Sequence, residues 1–548
     1  MAHSPSATPL INELLSVSTR ANPEDLFKYT SGRWLIDEEQ QLAQRYVKFH
    51  VDNLCSKAAS VFSDSTRCMD LVKVEGNFNK AFLLTMDDGH EVVAKVPCPN
   101  AGPPSLTTAS EVATLNFLRS RTSIPVPEVF AWNSDPTNSV GAEYIIMEKF
   151  PGVALGRKWD GMNMPERYEI ISQIIRMETE LRKMVLPAYG SLYLRDSLRS
   201  LPRDFQYHPL PADLDPDGLF CVGPSCHRNE WRGISGTSDE KQYTGPWSSL
   251  LNFALSNPQR ALAHIASSRV EVQEHLNRFG RAQSMDEYIS LLHKMIETLP
   301  ILSSNPEVLE VSPPVLWHTD LHLHNILVAP DNPTTIQGII DWQSTQSAPL
   351  FTQARFPEFL RPPKNYIAGV QMPRLPDDFE ALSPEQQEDA KRDKTLASLS
   401  KYYEISCRRF NEPAYNGMSL DRRLWEPFTP CSLPDCGSLV PLRNALIRLS
   451  RGWDALALPG ICPSGFTERE LESHVEQEEQ YNDILYLWDI VKNRLYTEDA
   501  GWVPNNRWDA TNEVNRNLFN VYIEAVREEM SPEEAVELWP FPPAPVAQ

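Results

Sequence analysis

The sequence predicts a mixed α+β protein in which a small, strand-rich lobe precedes a larger, helical lobe. The chain of 548 residues is too long for one compact core, and its 41% hydrophobic residues are typical of a globular protein. Strand patterns concentrate in residues 63–150, and helical patterns dominate residues 151–548, including a helical C-terminal extension. Residues 1–62 predict an N-terminal flexible segment followed by a helix.

The first predicted elements frame the small lobe. We expect residues 1–30 to be flexible and residues 37–60 to form a helix, because apolar residues recur there at three- to five-residue steps. Residues 71–84 predict a strand, a turn at Gly76 and a second strand. Residues 142–152 predict an edge strand that leaves the lobe.

A lysine lies inside the next predicted strand, Glu91–Val96. Burying the ammonium group of Lys95 is costly unless it is paired, and Glu111, near the start of a helix over residues 110–118, is a suitable partner. The alternative is an exposed lysine at a strand edge and a glutamate that the helix dipole favours without any partner.

The large lobe shows long helical patterns. Pro165 opens a helix that runs to about Met184, as proline in a first turn does, and residues 189–194 predict a strand. Residues 197–247 are rich in Pro, Gly, Ser and Asp without periodicity, which predicts a long loop. Further helices are predicted over residues 284–299, 385–412, 440–453, 466–496 and 509–530.

The stretch WHTDLHLHNILVAPDNPTTIQGIIDWQ, residues 317–343, carries the most informative pattern. Two apolar runs flank a Pro-Asp-Asn-Pro turn and predict a β-hairpin. An antiparallel hairpin brings the start of its first strand beside the end of its second, so Asn325 and Asp341 should face each other. Their oxygens suit a hard cation such as Mg²⁺. Asp320 precedes Asn325 by five residues, which is the catalytic-loop spacing of kinases.

The motif HTDLHLHN followed by IIDW resembles the signature H-x-D-x-x-x-x-N and I-D-W of the aminoglycoside phosphotransferase and choline-kinase-like superfamily. This resemblance implies a protein-kinase-like two-lobed α+β fold, with a small β-rich N-lobe and a large helical C-lobe. It also implies that Asp320 is the catalytic base, that His318 braces the loop, and that Asn325 and Asp341 hold Mg²⁺.

In the small lobe, the resemblance assigns four residues to ATP. The turn at Gly76 resembles the phosphate-covering loop, although taken alone this stretch, with its single glycine, predicts a plain hairpin. Lys95 and Glu111 resemble the lysine–glutamate pair of kinase-like lobes. The chain from Met147 to Phe150 resembles the hinge whose backbone meets adenine.

Two further stretches refine the resemblance. The segment YTSGRWLIDEEQQLAQRY resembles the start of fungal phosphotransferase-like proteins named for altered inheritance of mitochondria (protein nine), which implies a mitochondrial location, with the cytoplasm as the alternative. After Asp341, the G-D-P and D-L-A motifs of aminoglycoside-type enzymes are missing, so acceptor recognition cannot be transferred. The loop over residues 197–247 either shapes the acceptor pocket or is an insertion without a role.

Composition limits the partners. The formal net charge of −22 argues against nucleic acid and anionic membrane surfaces as main partners. No apolar run approaches 18 residues, so no transmembrane segment is predicted. Nine scattered cysteines do not predict a secreted disulfide framework.

Two zinc sites are conceivable alternatives. His318, His322 and His324 lie within seven residues of sequence, although no H-E-x-x-H motif is present. The other set comprises four cysteines at wide spacings, Cys221, Cys226, Cys431 and Cys436.

The predicted function is ATP- and Mg²⁺-dependent phosphoryl transfer to a hydroxyl group of a small molecule. One alternative is a catalytically silent, kinase-like scaffold in mitochondrial maintenance, favoured by the sparse glycine loop and the altered run after Asp341. Another is a protein kinase, which the lack of an A-P-E motif disfavours.

Overall fold

A computed structural model of the protein describes residues 22–201, 205–231, 243–276, 283–429 and 437–543. The predicted two-lobed α+β arrangement is confirmed, with a five-stranded antiparallel sheet in the small lobe and helices dominating the large lobe. The strands of the small lobe, with spatial order β2-β3-β4-β6-β5, are β2 (Cys68–Glu75), β3 (Asn79–Met86), β4 (Glu91–Pro97), β5 (Val129–Asn133) and β6 (Tyr144–Glu148).

The predicted edge strand over residues 142–152 is wrong in its position. β6 lies inside the sheet, hydrogen-bonded to β4 on one side and to β5 on the other. Its residues are mostly buried, which a strand paired on both edges and covered by a helix requires. That helix is α3 (Leu106–Arg121), whose residues are buried over almost its whole length.

The single helix predicted over residues 37–60 is also wrong. It is two helices, α1 (Glu38–Ala43) and α2 (Val51–Ala59). The backbone between them leaves the helical hydrogen-bond pattern, because Val47 donates its N–H to the Phe27 carbonyl and His50 donates its N–H to the Val140 carbonyl. Phe49 is thereby placed in the small-lobe core.

The large lobe begins with a short strand, β7 (Val153–Ala154). Capping fixes the starts of its long helices: the Asn163 side chain and Glu166 form a capping box at one, and Ser383 with Gln386 does the same at another. The helices up to residue 353 are α4 (Gly156–Trp159), α5 (Met164–Lys183), α6 (Arg195–Arg199), α7 (Leu250–Ser267), α8 (Arg269–Leu276), α9 (Met285–Ser303), α10 (Pro306–Glu310) and α11 (Leu350–Gln353). Those beyond it are α12 (Pro384–Phe410), α13 (Glu412–Ser419), α14 (Arg422–Trp425), α15 (Val440–Gly452), α16 (Glu468–Leu495), α17 (Trp508–Val526) and α18 (Pro532–Leu538).

The insertion expected as a loop over residues 197–247 contains ordered strands in its described part. β8 (Ser191–Leu194), β9 (His208–Pro209) and β10 (Phe220–Gly223) form a sheet of order β8-β10-β9. Tyr193 and Cys221 of this sheet pack against Leu106 and Ala109 of α3. The insertion therefore supports the helix that carries Glu111.

The two ends of the described chain meet on the small lobe. β1 (Gly32–Trp34) pairs antiparallel with β15 (Trp502–Pro504), near the C-terminus. Trp34 is buried and lies over the Arg45 guanidinium, and Arg33 bonds Glu38 and stacks on Trp508. In the described part of the segment expected to be flexible, Phe27 lies in the small-lobe core and Thr30 donates its N–H and hydroxyl to Glu75.

Candidate active site

The predicted hairpin is present and holds the central residues of the site. β11 (Pro314–Leu316), paired with β14 (Ser347–Pro349), leads into it, and β12 (Ile326–Val328) pairs with β13 (Ile336–Ile339). Ile340 donates its N–H to the Asn325 carbonyl at 3.0 Å. Asn325 therefore lies at the same end of the hairpin as Asp341, as the antiparallel register requires.

His318 ties the loop before the hairpin to the residue before Asp341. Its Nε2 donates to the Ile340 carbonyl at 3.0 Å, and its ring packs edge-on against Trp342 with centroids 4.6 Å apart. Burial lowers the pKa of His318, which favours the neutral imidazole. This contact suits the bracing role that the resemblance implies.

Asp320 lies on the exposed side of the same loop. Its carbonyl accepts the Nδ2–H of Asn325 and the backbone N–H of His322, both at 3.0 Å. Its carboxylate is about half exposed, and Oδ2 lies 3.9 Å from Nε2 of the buried His322. The loop thus fixes its own backbone through Asn325 and leaves the Asp320 carboxylate where a substrate can reach it.

Lys95 joins the two lobes. Its Nζ contacts Oε1 and Oε2 of Glu111 at 2.7 and 2.9 Å and Oδ1 of Asp341 at 2.8 Å. Burial by itself would lower the pKa of Lys95, but the two carboxylates outweigh burial and raise it. The alternative of an unpaired lysine at a strand edge is therefore wrong.

Asp341 combines strain with accessibility. Its φ of +64° is in the left-handed region, which a non-glycine residue adopts only when its surroundings enforce it. Its side chain is 41% exposed. Burial of the carboxylate acts to raise the pKa of Asp341, but the ion pair with Lys95 prevails and lowers it, so the group is a carboxylate ready for a cation.

The remaining predicted residues, Gly76 and Met147, lie in the small lobe, and Phe150 follows its last strand. Gly76 follows β2 directly, and a Cβ placed there would lie only 3.1 Å from the Asn79 carbonyl oxygen across the turn. Met147 is buried in β6, in a small cluster with Val112 and Ile145. Phe150, at the end of the predicted hinge, packs so closely on Gly338 that a Cβ there would lie 2.7 Å from its ring.

The residues at the hairpin end fit a Mg²⁺ ion. Asn325 donates its amide N–H to the Asp320 carbonyl, so its Oδ1 is the atom that could face a cation. Asp341 has one oxygen on Lys95 and a partly exposed side chain. An amide oxygen and a carboxylate oxygen are hard donors of the kind that Mg²⁺ takes together with phosphate oxygens.

The zinc alternatives find no support in the residues that the structure describes. No group of three or more His, Cys, Asp or Glu side chains there is arranged to hold a metal ion. Cys221 and Cys226 are buried free thiols, and Cys431 and Cys436 lie outside the described residues. In the same part of the chain, no helix is both long and apolar enough to cross a membrane.

Three side chains near the site have no part in the sequence prediction. Asn79 and Gln343 are hydrogen-bonded to each other across the lobes, and Arg228 of the insertion lies over the Phe78 ring. Gln343 directly follows the I-D-W motif, and Asn79 closes the turn at Gly76. Both residues adjoin motifs that the sequence analysis identified, but no local pattern predicts that Asn79 and Gln343 pair with each other.

Comparisons with known proteins cover the part of the chain that contains this candidate site. The model of a family described as "Phosphotransferase enzyme family" matches residues 72–352, which include every predicted site residue. The Subtelomeric hrmA-associated cluster protein of Aspergillus fumigatus is 30% identical over 511 residues, covering 86% of this chain and 97% of that protein. Altered inheritance of mitochondria protein 9, mitochondrial, of Saccharomyces cerevisiae is 22% identical, covering 91% and 90%.

Among solved structures, the gentamicin complex of APH(2")-IIa is similar over 77% of this chain and 100% of its own, with 12% identity and a TM-score of 0.35. A score this low carries no weight. The predicted protein-kinase-like fold and the resemblance to phosphotransferases and to the altered-inheritance proteins are nevertheless confirmed by the family match, the relatives and the two-lobed architecture. Because the family model covers just over half of the 548 residues and the Aspergillus relative matches most of the chain, the protein belongs to the phosphotransferase enzyme family.

Proposed function

We propose that the protein transfers the γ-phosphoryl group of ATP to a hydroxyl group of a small molecule. The observation that carries the proposal is the contact of Lys95 with both Glu111 and Asp341, next to a loop that presents Asp320. This arrangement joins the two lobes at a point where phosphates can replace carboxylate oxygens around one buried ammonium group.

Each residue has a distinct task in this proposal. Bound Mg-ATP supplies the transferable phosphoryl group and the charge that activates it. Lys95, kept in place by Glu111, binds phosphate oxygens, and Asn325 and Asp341 provide the Mg²⁺ ligands. Asp320 orients the acceptor hydroxyl and accepts its proton, while His318 holds the loop against Ile340.

Gly76 and Met147 complete the nucleotide site. The turn at Gly76 covers the phosphates with backbone N–H groups, and the chain from Met147 to Phe150 meets the adenine through its backbone. Most of the rate enhancement comes from positioning and charge neutralisation, because phosphoryl transfer needs little covalent chemistry from the protein. We place the protein in the mitochondrion, on the strength of relatives whose names include that location.

A catalytically silent scaffold is the second candidate. It is favoured by the single glycine in the turn that would cover the phosphates and by the closed Lys95–Asp341 ion pair. In this case the nucleotide would bind and set the lobe arrangement without being consumed.

The first experiment compares Asp320→Ala and Asp341→Ala with the wild type. Thermal stability is measured with and without Mg-ATP, and phosphate transfer is measured against a panel of hydroxyl-bearing metabolites. A ligand at 100 times its Kd should stabilise the wild type by about 2.7 kcal/mol. Asp320→Ala should keep this stabilisation and lose transfer, whereas Asp341→Ala should lose the Mg²⁺-dependent stabilisation.

The control is Asp331→Ala, in the exposed turn at the other end of the hairpin, which should behave as the wild type does. No stabilisation of the wild type by millimolar Mg-ATP would contradict both candidates. Binding without transfer to any acceptor would support the scaffold, and phosphate incorporation into protein would support a protein kinase.

A further inference from the structure

A second link between the lobes lies beside the ion pair of Lys95 and Asp341. Asn79 donates its Nδ2–H to Oε1 of Gln343, and Gln343 donates its Nε2–H to Oδ1 of Asn79, both at 2.9 Å. Each amide uses one donor and one acceptor, so the pair is self-complementary and fixes both side chains. Asn79 is only 8% exposed, so water competes little for these bonds.

The two links run side by side. Asn79 is two residues before Ala81, which pairs with Lys95 across β3 and β4. Gln343 is two residues after Asp341. The charged link and the neutral link therefore join the same strand pair of the small lobe to the same turn of the large lobe.

The turn that contains Gln343, residues 341–344, has a strained backbone. Asp341 and Ser344 both have positive φ, +64° and +60°. Trp342 between them is buried, and its Nε1–H bonds the Ile339 carbonyl at 3.0 Å. Left-handed non-glycine residues persist only where packing over-determines them, so the placement of Gln343 is a fixed feature of the fold.

The large-lobe insertion contacts the turn of the small lobe that runs from Gly76 to Asn79. The Arg228 guanidinium lies 3.4 Å from the centroid of the Phe78 ring, the residue before Asn79. Ser225 of the same segment donates its hydroxyl to Oε1 of Gln346 at 3.1 Å. The turn from Gly76 to Asn79 is thus contacted by Gln343 and by Arg228 of the insertion, which is itself bonded to Gln346 through Ser225.

We propose that Asn79 and Gln343 are positioning residues that keep the Gly76 turn closed over Asp341 while the ion pair beside them is exchanged for ligand. This inference rests on the proposed function. Phosphate and Mg²⁺ compete directly with the charged link, because they bind Lys95 and Asp341 themselves. A neutral amide pair offers them no charge, so it remains intact when the charged link opens.

The test uses Asn79→Ala, Gln343→Ala, the double alanine variant and the exchange variant Asn79→Gln/Gln343→Asn, which keeps both amides and the combined side-chain length. Asn332→Ala, at the other end of the hairpin, is the matched control. Amide hydrogen exchange of residues 76–80 is followed without nucleotide, and the Kd for Mg-ATP is measured by calorimetry.

Each single alanine variant should accelerate exchange in the turn and weaken Mg-ATP binding by about tenfold, the size expected for losing hydrogen bonds of this kind. The double variant should lose no more than a single one, because the first substitution already breaks the pair. The exchange variant should recover most of the loss. Asn332→Ala should change neither quantity.

Unchanged hydrogen exchange in the turn of both single variants would overturn the inference, and so would additive losses in the double variant. If the wild type does not bind Mg-ATP, the proposed function fails, and the hydrogen-exchange result still decides whether the Asn79–Gln343 pair holds the turn. Faster exchange confined to the variants of the pair supports it in that case.

Discussion

Two clusters of lysine and carboxylate side chains involve the sheet of the small lobe, and they differ in what surrounds them. One is Lys95 with Glu111 and Asp341, and the other is Glu75 with Lys73 and Lys80. The lysines of both clusters lie in the same five-stranded sheet, and Glu75 directly precedes Gly76. The partners of their charged groups and their exposure to solvent indicate that the Lys95 cluster is a ligand site and the Glu75 cluster a structural support.

The Glu75 cluster is closed by backbone groups. Glu75 Oε2 accepts the N–H and hydroxyl of Thr30 at 2.8 and 2.9 Å. Lys73 donates to the carbonyls of Asp25 and Lys28, and Lys80 donates to the carbonyl of Lys28. The N-terminal segment thus satisfies all three charged groups, and the side chain of Lys80 is completely buried.

The Lys95 cluster has no such closure. The three acceptors of its ammonium group are carboxylate oxygens, and one cation with two carboxylates carries an excess negative charge. Asp341 connects it to the cleft through its partly exposed side chain. A cation whose carboxylate partners are partly exposed and exchangeable suits ligand binding, whereas ammonium groups capped by backbone carbonyls suit structural support.

The largest expected effect comes from Lys95→Met. Removing the ammonium group of the Lys95 cluster should lower the rate of phosphoryl transfer by about 10²–10³-fold, as the loss of one preorganised electrostatic contact does in other enzymes. The rate is measured with the acceptor found in the metabolite screen. Lys57→Met, on the exposed face of α2, is the control, and a normal rate in Lys95→Met would remove the distinction between the clusters.

Glu75→Gln should act on stability instead. It leaves the Lys73 and Lys80 ammonium groups buried together without their counter-charge, which should cost about 3 kcal/mol of unfolding free energy. Urea denaturation followed by tryptophan fluorescence measures this loss, with the exposed Glu39→Gln as control. The folded fraction should retain its rate of transfer. A selective loss of activity without a loss of stability would make this cluster part of the site.

The last expected effect, the smallest when counted per pH unit, concerns a buried carboxyl group that forms no ion pair with the described residues. Glu178 of α5 accepts one hydrogen bond, from the Tyr403 hydroxyl at 2.8 Å, and burial raises its pKa to about 8. Since the folded pKa exceeds the unfolded one, folding retains a proton that the unfolded chain releases. The free energy of unfolding should therefore fall by about 1.4 kcal/mol per pH unit between roughly pH 4.5 and 8.

Glu178→Gln mimics the protonated group and should remove this slope. Wild type and variant should be similarly stable near pH 4.5, and the variant should gain relative stability toward pH 8. Unfolding curves at several pH values measure the difference. Glu169→Gln, exposed on the same helix, should follow the wild type, and parallel curves for Glu178→Gln would contradict a raised pKa.

Sequence reasoning identified the residues of the Lys95 cluster as candidate site residues, but it identified none of the Glu75 cluster. Lys95, Glu111 and Asp341 each belong to a motif with local spacing, so their chemistry can be read before their contacts are known. Lys73, Glu75 and Lys80 alternate with apolar residues in ordinary strands. Their role depends on Thr30 and on the backbone of residues 25–28, which no local pattern connects to them.

By itself, the sequence determined the hairpin that carries the candidate site, the long helices and the types of residue in that hairpin, because strand pairing across a short turn and helix capping depend on neighbours in the chain. Only the tertiary structure decided the central position of β6, the break between α1 and α2, and the strands of the insertion. It also decided the pairing of Asn79 with Gln343 and of β1 with β15, where Asn505 bonds the Thr30 carbonyl. These contacts join residues hundreds of positions apart, and their free energy comes from burial and hydrogen bonding that exist only once both partners are folded.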